Sequence, residues 1–285
     1  MVMTTNRLIT ILVLLCIALY ASAKKKQQYP RAEIKVSYKY HEKLLRGNTE
    51  FFEHDIPMSL LINSQQSKFY SPHTEYLDSL ESTPSGRAKS KQMMDIAVQK
   101  YIDSKDVSAM NSVTYRTFMS IFKDYANECI TVYDKAGMME SGVYSEPFSE
   151  LTWEVGDSIK TVLGYECIKA TADYHGRKWT AWFAPEIPVQ DGPWKLRGLP
   201  GLILEGTEAK GHHSFVADGI EESNMPIYPI YDNSNYDKMN RIDMLKSLRN
   251  YRDNSNSMTK ASIGLDLGED APPQTEYDFL ETDYR

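Results

Sequence analysis

The stretch YECIKATADYHGRKWTAWF, Tyr165–Phe183, decides the fold. His175-Gly176 suits a two-residue hairpin loop, because glycine takes positive φ at no steric cost. A loop there pairs Ala172 with Trp179, Ala170 with Ala181 and Ile168 with Phe183. All six are apolar and share one side of the ribbon. The other side pairs Asp173 with Lys178, Thr171 with Thr180 and Lys169 with Trp182. Those are a charge pair, a hydroxyl pair and a cation facing an aromatic ring. A slip of one residue would scramble both faces, so one register is specified.

Downstream, Pro185 and Pro188 cannot donate to a ladder, so the chain leaves the sheet. Leu199-Pro200-Gly201-Leu202 puts Pro and Gly at the two central places of a type II turn. Gly198, Leu199, Pro200 and Gly201 are therefore read as turn construction. Leu202–Glu205 starts a new strand, and His212–Asp218 another. Trp182, Trp194, Lys195 and Arg197 gather around this long crossing. Aromatics beside cations suit a carboxylate, a peptide terminus or a lipid headgroup. Tryptophans capping the core, with the cations left in water, would explain the same residues without a ligand.

Working outward, Glu33–Tyr40 alternates Ile34, Val36, Tyr38 and Tyr40 against charges and Ser, the pattern of a half-buried strand. Met58–Ile62, Ser67–Tyr70, Val113–Phe118, Glu128–Tyr133, Leu151–Val155 and Ser158–Val162 extend the series, with Gly156-Asp157 as a turn signal. Two segments have helical spacing. Lys89–Tyr101 carries Met94, Ala97, Val98 and Tyr101, with Thr83-Pro84 as its start signal. Asn235–Arg252 carries Met239, Ile242, Leu245 and Leu248, with a capping pattern at Ser234–Asp237. Its cations, Lys238, Arg241, Lys246, Arg249 and Arg252, read as a solvated face or a surface for an anionic partner. The fold class expected is β-rich α+β: a large curved or partly closed antiparallel sheet with about two packing helices.

The ends carry their own signals. Arg7, the apolar run Leu8–Leu19 and Ala21-Ser22-Ala23 form a secretory signal peptide over residues 1–23. The apolar run is short for a membrane span, and Lys24-Lys25-Lys26 follows it. No second such run occurs, so no transmembrane segment is expected after cleavage. Cys16 lacks the small preceding residue of a lipoprotein signal; Leu15 stands there. Residues 24–265 are read as a single β-rich domain. Residues 266–285, with Asp266, Glu269, Asp270, Glu276, Asp278, Glu281, Asp283 and two prolines, are read as an acidic, disordered tail. The net charge of −7 gives no support to nucleic-acid binding. Export leaves Cys129 and Cys167, and an even pair in an exported protein suggests a disulfide. Both fall on the more polar face of their strands.

The run Gly164–Gly206 resembles the GLPGLI family, exported bacterial proteins named for letters that stand here as Gly198-Leu199-Pro200-Gly201-Leu202-Ile203. The flanking GYECIKAT and GRKWTAWFAPEIPVQDGPWK are similar to the family too, and SKFYS at Ser67–Ser71 more weakly. The resemblance implies export to the cell envelope of a Gram-negative bacterium, in the periplasm or at the outer membrane, and a β-rich domain. It carries over no catalytic residues and no cofactor.

Reactive motifs are sparse. His41-Glu42 begins like a zinc-protease helix, but Leu45 stands where the second histidine belongs. Gly201 and Gly206 have phosphate-loop spacing, but Thr207 follows instead of Lys. His212 and His213 point to opposite faces of a strand, so they do not share one ion, and Ser214 diverges from its neighbour likewise. No metal and no catalytic group is therefore assigned. The reading is an exported, non-catalytic binding module for a protein, peptide or lipid. A structural accessory of an outer-membrane uptake system and a hydrolase with an unrecognised site are the alternatives. A lipid carrier should show a purely apolar pocket, and a peptide or protein binder a groove near Trp194 and Arg197. An enzyme should show a deep cleft with a histidine beside Asp, Glu or Ser.

Overall fold

Tyr165–Tyr174 and Arg177–Ala184 form the expected hairpin in the expected register, all six named pairs included. His175 and Gly176 both have positive φ, 50° and 77°, as the two-residue loop requires. Ala170, Trp179, Ala181 and Phe183 are buried together on its inner side. On the outer side the ring of Trp182 is covered by Lys160, at 4.5 Å, rather than by Lys169 across the ladder.

The structure, a computed structural model, describes residues 29–46, 50–114, 116–137, 140–148, 151–228, 230, 236–254, 257–258, 260–261 and 279–284. In chain order the elements are β1 (Ile34–Arg46), β2 (Glu50–Ile62), β3 (Gln66–Tyr70), α1 (Pro72–Glu81), α2 (Pro84–Ser104), β4 (Ser120–Asp124), β5 (Cys129–Lys135), β6 (Ser141–Pro147), β7 (Glu154–Val162), β8 (Tyr165–Tyr174), β9 (Arg177–Ala184), β10 (Leu202–Glu208), β11 (His213–Glu222), β12 (Asp237–Lys238) and α3 (Arg241–Asp253). The strands join in one sheet of order β12-β6-β5-β4-β3-β2-β1-β11-β10-β9-β8-β7. Every pairing is antiparallel except the short β12–β6 contact, so the sheet is mixed and its edges, β7 and β12, stay apart. Residues Arg31–Arg285 form one compact unit.

Alternation builds the core. Val36, Tyr38 and Tyr40 of β1 face Leu60, Met58 and Ile56 of β2, and all are buried. Tyr40 stacks on Phe215 of β11 at 4.6 Å, and Phe215 stacks on Trp179 of β9 at 6.2 Å. Each buried ring contributes on the order of 3 kcal/mol of transfer free energy. The Tyr38 hydroxyl donates to the Ile203 carbonyl at 2.7 Å, tying β1 to β10.

Several expectations change. Val113–Phe118 is not a strand: Asn111–Thr114 makes a helical turn, and the strand begins at Ser120. The chain returning from α2 turns there through a short 3-10 segment capped by Asp106, whose carboxylate accepts from Ser108 N at 2.9 Å. Gly156-Asp157 lies inside β7, where the register with β8 shifts, so the turn signal marks a bulge. Helix α2 starts after its Thr83 cap, but of its expected packing residues only Ala97 is buried; Met94, Val98 and Tyr101 are exposed. Helix α3 is capped by Asn240; Ser234 and Asn235 lie outside the described residues. Cys129 and Cys167 are free thiols. β4, β3, β2, β1, β11, β10 and β9 lie between their strands in the sheet order, so the disulfide does not form. Cys167 is also fully buried rather than on a polar surface. Residues 1–28, with the signal-peptide reading, and 262–278 lie outside the described residues. The last part of the expected tail is not solvated: Glu281 and Tyr284 are buried, and Glu281 pairs with Lys195 of the Pro185–Gly201 crossing and Arg241 of α3. No helix among the described residues is long and apolar enough to cross a membrane.

Candidate functional site

The crossing from Pro185 to Gly201 is tied to the core by several hydrogen bonds and a buried ion pair. Asp191 is its anchor. Its carboxylate pairs with the fully buried Lys123 ammonium of β4 and accepts from the Tyr125 hydroxyl at 2.6 Å. Burial pushes the Lys123 ammonium below its ordinary value, and Asp191 opposes that shift. Lys123 also donates to the Gly192 carbonyl at 2.8 Å, so one ammonium holds both side chain and backbone of the crossing. A buried pair of this kind is costly to break, since either partner alone would be left charged in the interior.

The bend that follows differs from the expected type II turn. Gly201 N donates to the Leu199 carbonyl at 2.8 Å, around Pro200, while Leu202 N is taken by the Ile187 carbonyl at 3.0 Å. That is a three-residue γ-type turn. Gly198 takes the left-handed φ, at 86°, while Gly201 is almost extended, at 159°, far from the value a type II turn requires. Gly201 is needed for space: a β-carbon there would lie 2.3 Å from the Ala184 carbonyl oxygen.

The four residues read as a binding group do not converge. Trp182 is on the outer side of β9 beneath Lys160. Trp194 is buried, with φ of 51°, against Trp179 at 5.2 Å and Tyr174 at 5.6 Å. Lys195 is fully buried; its Nζ lies 2.6 Å from Glu146 of β6, 2.7 Å from Glu281 and 3.0 Å from the Tyr144 hydroxyl. Arg197 stacks over the Phe148 ring at 3.7 Å, and its carbonyl accepts from Trp153 Nε1 at 2.8 Å.

Lys195 belongs to a larger ion cluster. Arg241 of α3 pairs with Glu281 and Asp283, and His175 Nδ1 lies 3.3 Å from Asp283. Burial opposes ionisation of Glu146, but His175 and Lys195 outweigh it and hold its carboxyl near 2. Burial likewise opposes ionisation of Glu281, and Lys195, His175 and Arg241 together bring it below its usual range. His175, Glu281 and Asp283 bring ligand atoms within 4.8 Å of one another. Lys195 and Arg241 already answer that negative charge, so the group reads as a clamp between the β8–β9 loop and the chain's end. The Thr282 backbone N–H donates to the His175 carbonyl at 3.0 Å, and Arg177 Nε donates to the Phe279 carbonyl at 2.8 Å.

Two cavities flank the crossing. One, of about 490 Å³, is lined by Arg197, Gly198, Gln190 and Val189 of the crossing, with Ile34, Ile62 and Phe148 opposite. Burial lowers the Arg197 guanidinium against the opposing pull of Tyr174, Asp191, Glu128 and Glu146. The other, of about 230 Å³, is lined by Trp194, Tyr40, Glu42, Asp134, His213 and Glu281, among others. There the Tyr40 hydroxyl and His213 Nδ1 are 2.8 Å apart. Sequence reading missed Glu146, Arg241, Glu281, Asp283 and Asp134 as partners, because they come from β5, β6, α3 and the chain's end. His213 opens β11 and is buried, whereas His212 lies in the turn before the strand and is half-buried.

Residues 173–205 match the model of a family described as a protein of unknown function (Porph_ging). No curated protein matches the chain. Two solved structures of PNGF-II, in the P21 and C2 space groups, are similar at 12% and 11% identity, each with a TM-score of 0.48 over 78% of this chain. The chain spans about a third of their length, 34% in both.

Proposed function

We propose that this chain is an exported envelope protein of the GLPGLI type, and that its body is a non-catalytic binding module for a peptide segment. The export signal is residues 1–23, and the bacterial envelope is the compartment that signal and family resemblance suit. The observation that carries the binding reading is the 490 Å³ groove beside Arg197. Apolar walls from Ile34, Ile62 and Val189 suit side chains, Gln190 offers an amide to a backbone, and Glu33 and Glu128 line the same groove. Arg197 supplies a guanidinium of the fork geometry that a terminal carboxylate prefers. Both cavities carry charged residues, which favours a peptide over a lipid tail.

The test is a fluorescence-anisotropy screen of octapeptides with free C-termini against the same peptides amidated. Free carboxylates should bind at least ten times more tightly, and Arg197→Ala should remove that preference with little change in Tm. Equal binding of the two peptide sets, or an unchanged preference in Arg197→Ala, would overturn the reading.

A further inference from the structure

The 230 Å³ cavity shares no lining residue with the Arg197 groove. Its volume is about half that of the Arg197 groove, a size that suits a small molecule. Its walls include the rings of Phe118, Trp194 and Tyr40 and the aliphatic side chain of Leu248. Three carboxylates also line it: Glu42 of β1, Asp134 of β5 and Glu281 of the C-terminal segment.

These carboxylates are not equivalent. Glu281 is matched by Lys195 and Arg241. Asp134 accepts from the backbone N–H of Lys135 at 2.7 Å, and among the described residues no side-chain cation forms an ion pair with it. Burial, with the charges of Glu281 and Glu42, pushes its carboxyl up to about 7 against the backbone N–H and the charge of Lys135, whose ammonium lies 4.6 Å from the centre of the Phe118 ring. The guanidinium in the lining, Arg252, lies 6.0 Å from the Phe279 ring centre. An ammonium entering here would find a counter-ion and aromatic faces together, a combination that favours organic cations. An anion would meet three carboxylates.

We propose that this cavity binds a small organic ammonium ion, with Asp134 as its counter-ion and the rings of Trp194 and Phe118 against its apolar body. This site does not depend on the peptide reading of the Arg197 groove. Glu42 on β1, His213 on β11, Tyr144 on β6, Glu281 at the chain's end, Arg252 on α3 and the adjacent Lys135 all face the cavity or Asp134. Ionised Asp134 is the form that pairs with an ammonium, so affinity rises as pH increases from 5.5 to 8, and binding near neutrality releases a proton.

The experiment is calorimetric titration of the full mature chain with benzylammonium, benzyl alcohol and benzoate. Benzylammonium should bind at least tenfold more tightly than either of the others. Asp134→Asn should reduce it to the level of benzyl alcohol, and Leu248→Trp, which fills the cavity from half-buried α3, should abolish binding. Arg197→Ala should leave it intact, which separates this site from the groove. Benzyl alcohol or benzoate binding as well as the amine, or an undiminished benzylammonium affinity in folded Asp134→Asn or in Leu248→Trp, would overturn the proposal. So would an absence of benzylammonium binding to the wild-type chain.

Discussion

Lys195 stands where two carboxylates and a phenol meet, fully buried. Its replacement by Met would leave Glu146 and Glu281 in the interior with only Arg241 and His175 near. Such stranded charges typically cost about 3–5 kcal/mol. Urea unfolding of Lys195→Met at pH 7 should show a loss of that order; a loss below about 1 kcal/mol would mean that water reaches the cluster. The same group sets an acid limit. Glu146 in the folded chain titrates near 2, below its ordinary 4.5. A depressed carboxyl contributes stability that is present above the unfolded value and is lost as the folded value is approached. Tm should therefore hold down to about pH 4.5 and fall between there and pH 2, and Glu146→Gln should flatten that fall. Lys195 is conspicuous in the sequence as a cation beside a tryptophan. Its partners are not, because they lie on β6 and at the chain's end, and no local pattern links those places.

The hairpin is the element most legible in the sequence. Its loop chemistry, its apolar side and its polar side all specify one register, and no distant contact contradicts them. β4 and β6 are illegible for a physical reason. β6 turns Gly142 and Tyr144 inward with the partly buried Glu146, and β4 buries Ser120, Ile121 and Lys123. Buried positions filled by Gly, Ser and ion-paired Lys erase the apolar alternation that marks a strand. The bend at Leu199–Gly201 is intermediate: its location follows from Pro and Gly, but its type follows from the packing of Gly201 on Ala184. Gly201→Val should therefore cost about 2–4 kcal/mol through the clash with the Ala184 carbonyl, whereas exposed Pro200→Val should cost under about 1 kcal/mol. Thermal melts of both variants check this; equal losses would return the turn to the type II geometry.

Across the whole molecule, the chain's end closes onto the loop that organises the middle. Deleting residues 279–285 would remove Glu281 and Asp283 from Arg241, Glu281 from Lys195, and the Phe279 carbonyl from Arg177. The truncated chain should lose on the order of 3–5 kcal/mol in chemical denaturation. An unchanged midpoint would show that the segment adds nothing to the sheet. The strand-rich class, the β8–β9 register and the place of the crossing are readable from the sequence, because each depends on side-chain alternation and turn residues only a few positions apart. The order of the sheet, the separation of the two thiols, the burial of Lys195 and Glu281 and the two cavities were decided by tertiary structure alone. They depend on which distant strands become neighbours, and on charges that meet only when the chain's end returns to the sheet.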